Sequence, residues 1–315
     1  MEQNTLGVVL SYYREKYGFS LEALSGGICS TTTLSRVEAG SREIDSLMAE
    51  ALLGRVGKEV TQFELLLNDE DYAMWQKRES IHAALKEKRY DEVLEGVCQY
   101  ENMLTGEQSL HRQRCLAWRV QLVEAQGDSR EEIIRLASDA LAYTISDIDS
   151  GMAGQLYNPL EIRLILVLAR HNYFSAVEKI EDRLLRLVRY VETYYSGRMK
   201  ETLGIEILLT LIELMEQNDE DDKVISYVDQ AVALIAKGRG IRHVAKLHYI
   251  KARAIERLYC GSANWEEQER CCREECAMAY YVAEIMGEKE LMEEITAHCK
   301  EKLSWQITEQ AMLFD

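Results

Sequence analysis

The run Ser30-Thr31-Thr32-Thr33, followed by Ser35 and Arg36 within GICSTTTLSRVEAG, puts short hydroxyls and one guanidinium at the start of a short helical pattern. Nothing beside them would activate a hydroxyl as a nucleophile, so the chemistry on offer is hydrogen bonding. Ser30 is the natural N-cap, and the unpaired amides that follow it suit a phosphate oxygen, because a helix N-terminus carries exposed N–H groups and positive partial charge. Short side chains also let the backbone approach a partner closely. Leu34 and Val37 are spaced to face a core, which leaves Thr31, Thr32, Ser35 and Arg36 pointing outward.

Other reactive constellations are missing. The eight cysteines show no CxxC spacing, and the one cluster, Cys271, Cys272 and Cys276, reads as small buried thiols on packed helices. The sequence contains no HExxH, GxSxG, Walker loop or GxGxxG. Neither an enzyme, nor a metal, nor a cofactor is expected.

The elements that must hold the hydroxyl run are several short helices with tight turns. Leu6, Val9, Leu10 and Tyr13 stripe a first helix that Gly18 ends; Ser20 caps a second, LEALS, broken by Gly26 and Gly27. The third runs from Ser30 to about Ala39 with Gly40 as its left-handed stop, a fourth from about Asp45 to Val56, and a fifth starts near Thr61. One proline among abundant Leu, Ala, Glu, Lys and Arg makes the whole chain read as all-α. The N-terminus lacks a signal-peptide pattern and no long apolar run occurs, so a cytoplasmic protein with no membrane partner is expected.

The segment LGVVLSYYREKYGFSLEALSGGICSTTTLSRVEAG resembles the helix-turn-helix of the Xre/Cro family, in particular the version of Rgg, PlcR and PrgX-type regulators. The resemblance implies that the third helix enters a DNA major groove. It assigns base reading to Thr31, Thr32 and Arg36 and sugar or phosphate contacts to Thr33 and Ser35; Ser30 at the helix start suits a phosphate, and Arg14, Lys16, Arg36 and Arg42 are cations expected near the third helix. It also implies a structural pair between Arg14 and Glu38. The second helix departs from the family in starting with Leu21 where a phosphate-gripping glutamine is usual, and Ala39 stands where asparagine is usual. Charge argues the other way: residues 1–67 hold six basic and nine acidic side chains, net −3 of the chain's −17, a poor footprint for DNA.

Past Asp69 the pattern changes to long amphipathic helices with breaks at EKRYDEV, QGDSREE, HNYFSAV, QNDEDDKV and CGSANWEE, whose starts lie 39, 45, 46 and 43 residues apart. Such units resemble degenerate tetratricopeptide repeats, which implies about five helical hairpins stacked into a right-handed α-superhelix with a concave inner surface. Candidate groove residues are Arg163 and Arg170, two turns apart and able to grip a peptide carboxylate; Glu206, Thr210 and Glu213; and Lys246, Tyr249 and Arg253. Exposed charges on an outer face explain the same stripes. The resemblance to the Rgg, PlcR and PrgX-type regulators, in which asparagines clamp a peptide backbone, makes Asn158 and Asn172 further candidates.

The expected division is a helix-turn-helix domain over 1–67 and a repeat domain over 68–315, with a hinge near Leu66 to Tyr72. This plan resembles the peptide-sensing Rgg/PlcR/PrgX (RRNPP) family, which implies a homodimeric transcription regulator with double-stranded DNA and a short signalling peptide as partners. Residues 271–287 carry excess apolar surface suited to self-association. The alternative reading is a helical-repeat adaptor or sensor that binds a protein partner and not DNA.

Overall fold

The computed structural model describes residues 5–60, 68–106, 108–127, 129–145, 155–174, 177–238 and 240–307. Every regular element of four or more residues among them is an α-helix, fifteen in all. The expected fifth helix near Thr61 and the Leu66–Leu67 part of the hinge lie outside the described residues. No helix among the described residues is long and apolar enough to cross a membrane.

Four short helices form the head: α1 (Thr5–Tyr17), α2 (Leu21–Ser25), α3 (Thr31–Glu38) and α4 (Ser46–Arg55). Ser20, Ser30 and Asp45 cap α2, α3 and α4, each side-chain oxygen accepting from the amide three residues on. The C-terminal ends are equally regular. Gly18, Gly40 and Gly57 take φ of about +70° after α1, α3 and α4. At each, the next residue's N–H reaches back to a carbonyl five residues earlier, the Schellman arrangement that satisfies the last turn. Leu10, Leu24, Leu34, Val37, Leu52 and Leu53 are fully buried between these helices.

The remaining helices pair into hairpins: α5 (Asp69–Lys86) with α6 (Tyr90–Met103), α7 (Ser109–Gln126) with α8 (Arg130–Ala142), and α9 (Pro159–Arg170) with α10 (Val177–Tyr194). Then follow α11 (Gly197–Gln217) with α12 (Asp221–Lys237), α13 (Val244–Tyr259) with α14 (Trp265–Met286), and α15 (Lys289–Lys302). The five breaks read from the sequence fall on the five intra-hairpin joints. Among the described residues, each joint holds one in the left-handed region: Lys88, Gly127, Asn172, Asp219 and Gly261. At three of the five that residue is not glycine, which costs about 1–2 kcal/mol apiece and is offset by the carbonyls the turn satisfies.

The chain forms two compact units, residues 1–200 and 201–315. The first contains the head and α5 to α10. Its second core joins Met74, Ile81, Val93, Val97, Tyr100 and Trp118 of α5, α6 and α7. The N-cap of α5 is Asn68, and Asp71 in the first turn accepts from both the amide and the hydroxyl of Ser46 at 2.9 and 2.7 Å. The described part of the expected hinge is thus a capped, largely exposed helix start, anchored to α4 through the buried Asp71. The second unit packs Tyr249, Cys272, Cys276, Ile295 and Cys299 into one core. Cys272, Cys276 and Cys299 are fully buried, and no group of three or more His, Cys, Asp or Glu among the described residues is arranged to hold a metal ion. On α14, Met278, Ile285 and Met286 remain 50%, 75% and 42% exposed.

Candidate nucleic-acid interface

The front of α3 is set by its cap. Ser30 Oγ accepts from the Thr33 amide at 3.1 Å and lies 3.0 Å from Thr33 Oγ1, which in turn accepts from Arg42 Nη1 at 3.2 Å. Ser30, Thr33 and Arg42 therefore form one hydrogen-bonded chain, and Arg42, in the loop after α3, is held beside the helix start rather than ranging freely. Thr31, Thr32, Ser35 and Arg36 are exposed, while Leu34 and Val37 on the opposite face are fully buried. Ser41 Oγ closes the far end by donating to Arg36 O at 3.1 Å.

Two contacts fix α3 against α1. Arg14 grips Glu38 in two places, Nε to Oε1 at 2.7 Å and Nη2 to Oε2 at 2.9 Å, in a largely buried setting where geometry and charge reinforce each other. Gly7 lets the backbones touch: a Cβ there would lie 2.1 Å from the Val37 carbonyl oxygen. The exposed face of α3 thereby has one orientation in the head.

The head is also locked onto the hairpins of its own unit. Arg55, at the end of α4, is fully buried and donates from Nη1 to Leu24 O and Gly26 O and from Nη2 to Glu161 Oε1 at 2.8 Å, a pair 106 residues apart. Glu161 is itself the third residue of the α9 capping box, accepting from the Asn158 amide at 2.7 Å while Asn158 Oδ1 accepts from the Glu161 amide at 3.0 Å. Tyr190 of α10 donates to Arg55 O at 3.1 Å and accepts from the Tyr157 amide at 3.0 Å; burial raises its phenol well above the ordinary tyrosine range. Gly27, in the turn that leads into α3, has φ +72°, and a Cβ would meet Thr144 O at 2.2 Å. The sequence reading missed this junction. Its one local signal is a charged residue, Arg55, closing the apolar run of α4; its partner cannot be found from spacing.

The groove candidates fare differently from one another. Arg163 is half-buried and has a partner. Arg170 donates to Glu124 at 3.2 Å, and His171 Nε2 reaches the same carboxylate at 3.1 Å. Glu206 is half-buried, Glu213 is exposed, and Thr210 between them is 1% exposed with its hydroxyl donating to Glu206 O at 3.1 Å. Tyr249 belongs to the second unit's core, its ring beneath Arg253 at 5.8 Å and edge-on to His298, whereas Lys246 is exposed. Helical spacing had put Tyr249 and Thr210 in line with charged neighbours, but each packs inward. Asn158 is spent on the α9 cap and Asn172 on the left-handed turn after α9.

No protein-family model matches the chain, and no curated protein matches it in sequence. Solved structures do match in fold. The PlcR of Bacillus thuringiensis in complex with the peptide PapR7 and DNA has 15% identity and a TM-score of 0.52, over 93% of this chain and 99% of that one. Its apo form gives 14% and 0.52, over 93% and 98%. The apo competence regulator ComR of Streptococcus vestibularis has 16% identity and a TM-score of 0.51, over 94% and 97%. The chain is thus an all-α protein with the helix-turn-helix and helical-repeat layout of PlcR and ComR.

Proposed function

We propose that this chain is a sequence-specific DNA-binding transcription regulator whose reading head, within residues 1–67, is controlled by a short peptide bound in the repeat domain, residues 68–315. One observation carries the reading: the outer face of α3 presents Thr31, Thr32, Ser35 and Arg36 to solvent while every apolar residue of that helix is buried. An exposed helix of this width fits a major groove, and its arginine can take two acceptors of one guanine. Thr33, Ser30 and Arg42 form the supporting chain, suited to a phosphate at the helix start.

Peptide control is supported by likeness of fold to PlcR, whose structure holds a peptide and DNA together. Of the groove candidates, Glu213 and Lys246 are exposed and Arg163, Arg170, Glu206 and Arg253 are half-buried, whereas Thr210 and Tyr249 are buried. A peptide shifts DNA binding only by its differential affinity for two arrangements of the protein. Self-association as a homodimer through the exposed apolar residues of α14 would present two heads to two half-sites.

The test is a salt-dependent mobility shift on a duplex selected by the full-length chain from random-sequence DNA. Arg36→Ala is expected to weaken the selected duplex by roughly 1–3 kcal/mol with an unchanged melting temperature. Equal affinity of wild type for selected and scrambled duplexes refutes sequence reading, and leaves the adaptor function.

A further inference from the structure

The −17 net charge and the −3 head leave DNA binding short of cations, and the first unit supplies them from outside the head. A cleft of about 290 Å³ opens between the chain leading into α9 and the last turns of α10, lined by Arg186, Arg189, Thr193 and Tyr194 among others and, among the described residues, by no acidic one. Both arginines are exposed. Arg186 is paired with Asp182 on the same helix, each about half exposed, an arrangement that holds an arginine weakly. Arg189 donates from Nε to Leu185 O of its own helix at 3.3 Å. Either guanidinium can therefore turn to a phosphate at small cost.

The cleft is joined to the head by a ladder of rings. Tyr194 lies edge-on to Phe19 at 5.1 Å and to Tyr17 at 5.2 Å, and Tyr17 meets Tyr13 at 5.9 Å. Over Tyr13 stand two more cations, Lys58 at 4.4 Å and Lys16 at 5.8 Å from the ring centroid. Phe19 directly precedes Ser20, the N-cap of α2. In a helix-turn-helix the helix before the reading helix lies across the DNA backbone, and here it begins with Leu21, which offers no polar group. The ladder runs from that apolar start to Tyr194, which lines the same cleft as Arg189. It is also rigidly placed, because the Tyr190 hydroxyl holds Arg55 O and a Cβ on Gly57 would lie 2.0 Å from Tyr194 O.

We propose that the Arg186–Arg189 cleft on α10 is a second DNA-backbone site that takes phosphates flanking the segment read by α3. The inference rests on the DNA-binding reading above. It gives the repeat hairpins a direct part in holding DNA, and it accounts for how a head of negative net charge acquires affinity.

The experiment uses the full-length chain and a duplex it selects from random-sequence DNA, in two forms: trimmed to the selected segment, and extended by about one helical turn, roughly 10 base pairs, on each side. Two extra phosphate contacts steepen the dependence of log affinity on log salt by about 1.8. Between 50 and 200 mM salt, the extended duplex should therefore lose about twelvefold more affinity per protomer than the trimmed one. In Arg186→Ala/Arg189→Ala the two duplexes should share one slope, with trimmed-duplex binding intact, and Arg186→Lys/Arg189→Lys should restore the difference. Equal slopes for the two duplexes in wild type, or a difference that survives the double alanine variant, overturns the second site while leaving α3 as reader. Failure of the wild type to select any sequence removes the DNA reading and this site with it.

Discussion

Removing one member of the Arg55–Glu161 pair should be among the most damaging single changes in the first unit. Both side chains are 0% exposed, so neither charge can recover water when its partner goes. Breaking a buried pair from one side costs about 3–5 kcal/mol, and the surroundings place the two variants within that range. In Glu161→Gln the amide oxygen can still accept from Arg55 Nη2, and Leu24 O and Gly26 O still hold Nη1, so the loss lies near the lower end, about 3 kcal/mol. In Arg55→Met the Glu161 carboxylate keeps the Asn158 amide as its remaining hydrogen bond, so the loss lies near the upper end, about 5 kcal/mol. The double variant Arg55→Met/Glu161→Met removes both charges and should recover part of that loss, because no ion is left buried. Urea unfolding of the full chain, followed together by helical circular dichroism and tryptophan fluorescence, measures the three. Single variants within about 1 kcal/mol of wild type, below the range for a one-sided break, would show that the head is not locked to α9 through this pair.

Other outcomes follow from the same structure. Gly7→Ala should destabilise the head and weaken DNA binding together, since its methyl would collide with Val37 O at 2.1 Å and push α3 off α1; an unchanged melting temperature contradicts that crossing. Lys88→Gly should raise stability by up to about 1 kcal/mol, the strain of a left-handed lysine at φ +58° less the extra chain entropy that glycine loses on folding; a fall in melting temperature would mean that the lysine side chain outweighs the backbone strain. In the second unit, burial works to raise the Glu275 carboxyl, but hydrogen bonds from His248 and Lys251 carry it below the usual glutamate range. A lowered folded value contributes stability that is present above the unfolded pKa and lost as pH falls through the folded one. Glu275→Gln should therefore lower stability at neutral pH and match wild type in strong acid, as read by thermal melts across the carboxylate range; parallel curves at every pH exclude the interaction.

Much of the head was legible because its signals are local. Caps at Ser20 and Ser30, the start of a fourth helix near Asp45, glycines at 18 and 40, and the Leu34/Val37 spacing each act within one helical turn, and a turn is as far as sequence pattern reaches. Repeat breaks were legible for the same reason, since each joint interrupts two amphipathic helices. The groove residues were not. Helical spacing puts Glu206, Thr210 and Glu213 on one side of α11, yet which side is inside depends on what packs there, and Thr210 turned inward. Tyr249 shows the same limit: a phenol at a solvent-facing spacing and a phenol in a core look alike in one dimension.

By itself, then, the amino-acid order determined an all-α chain, the start and stop of each head helix, the outward face of α3 and the rhythm of the hairpins, because each depends on residues within a few positions of one another. Only the tertiary structure decided that Arg55 would meet Glu161 across 106 residues, that Gly27 would rest on Thr144, and that Tyr194, which lines one cleft with Arg189, would meet Phe19 at the start of α2. Those meetings arise from burial and close approach between distant segments, and no spacing rule encodes which distant segments come together.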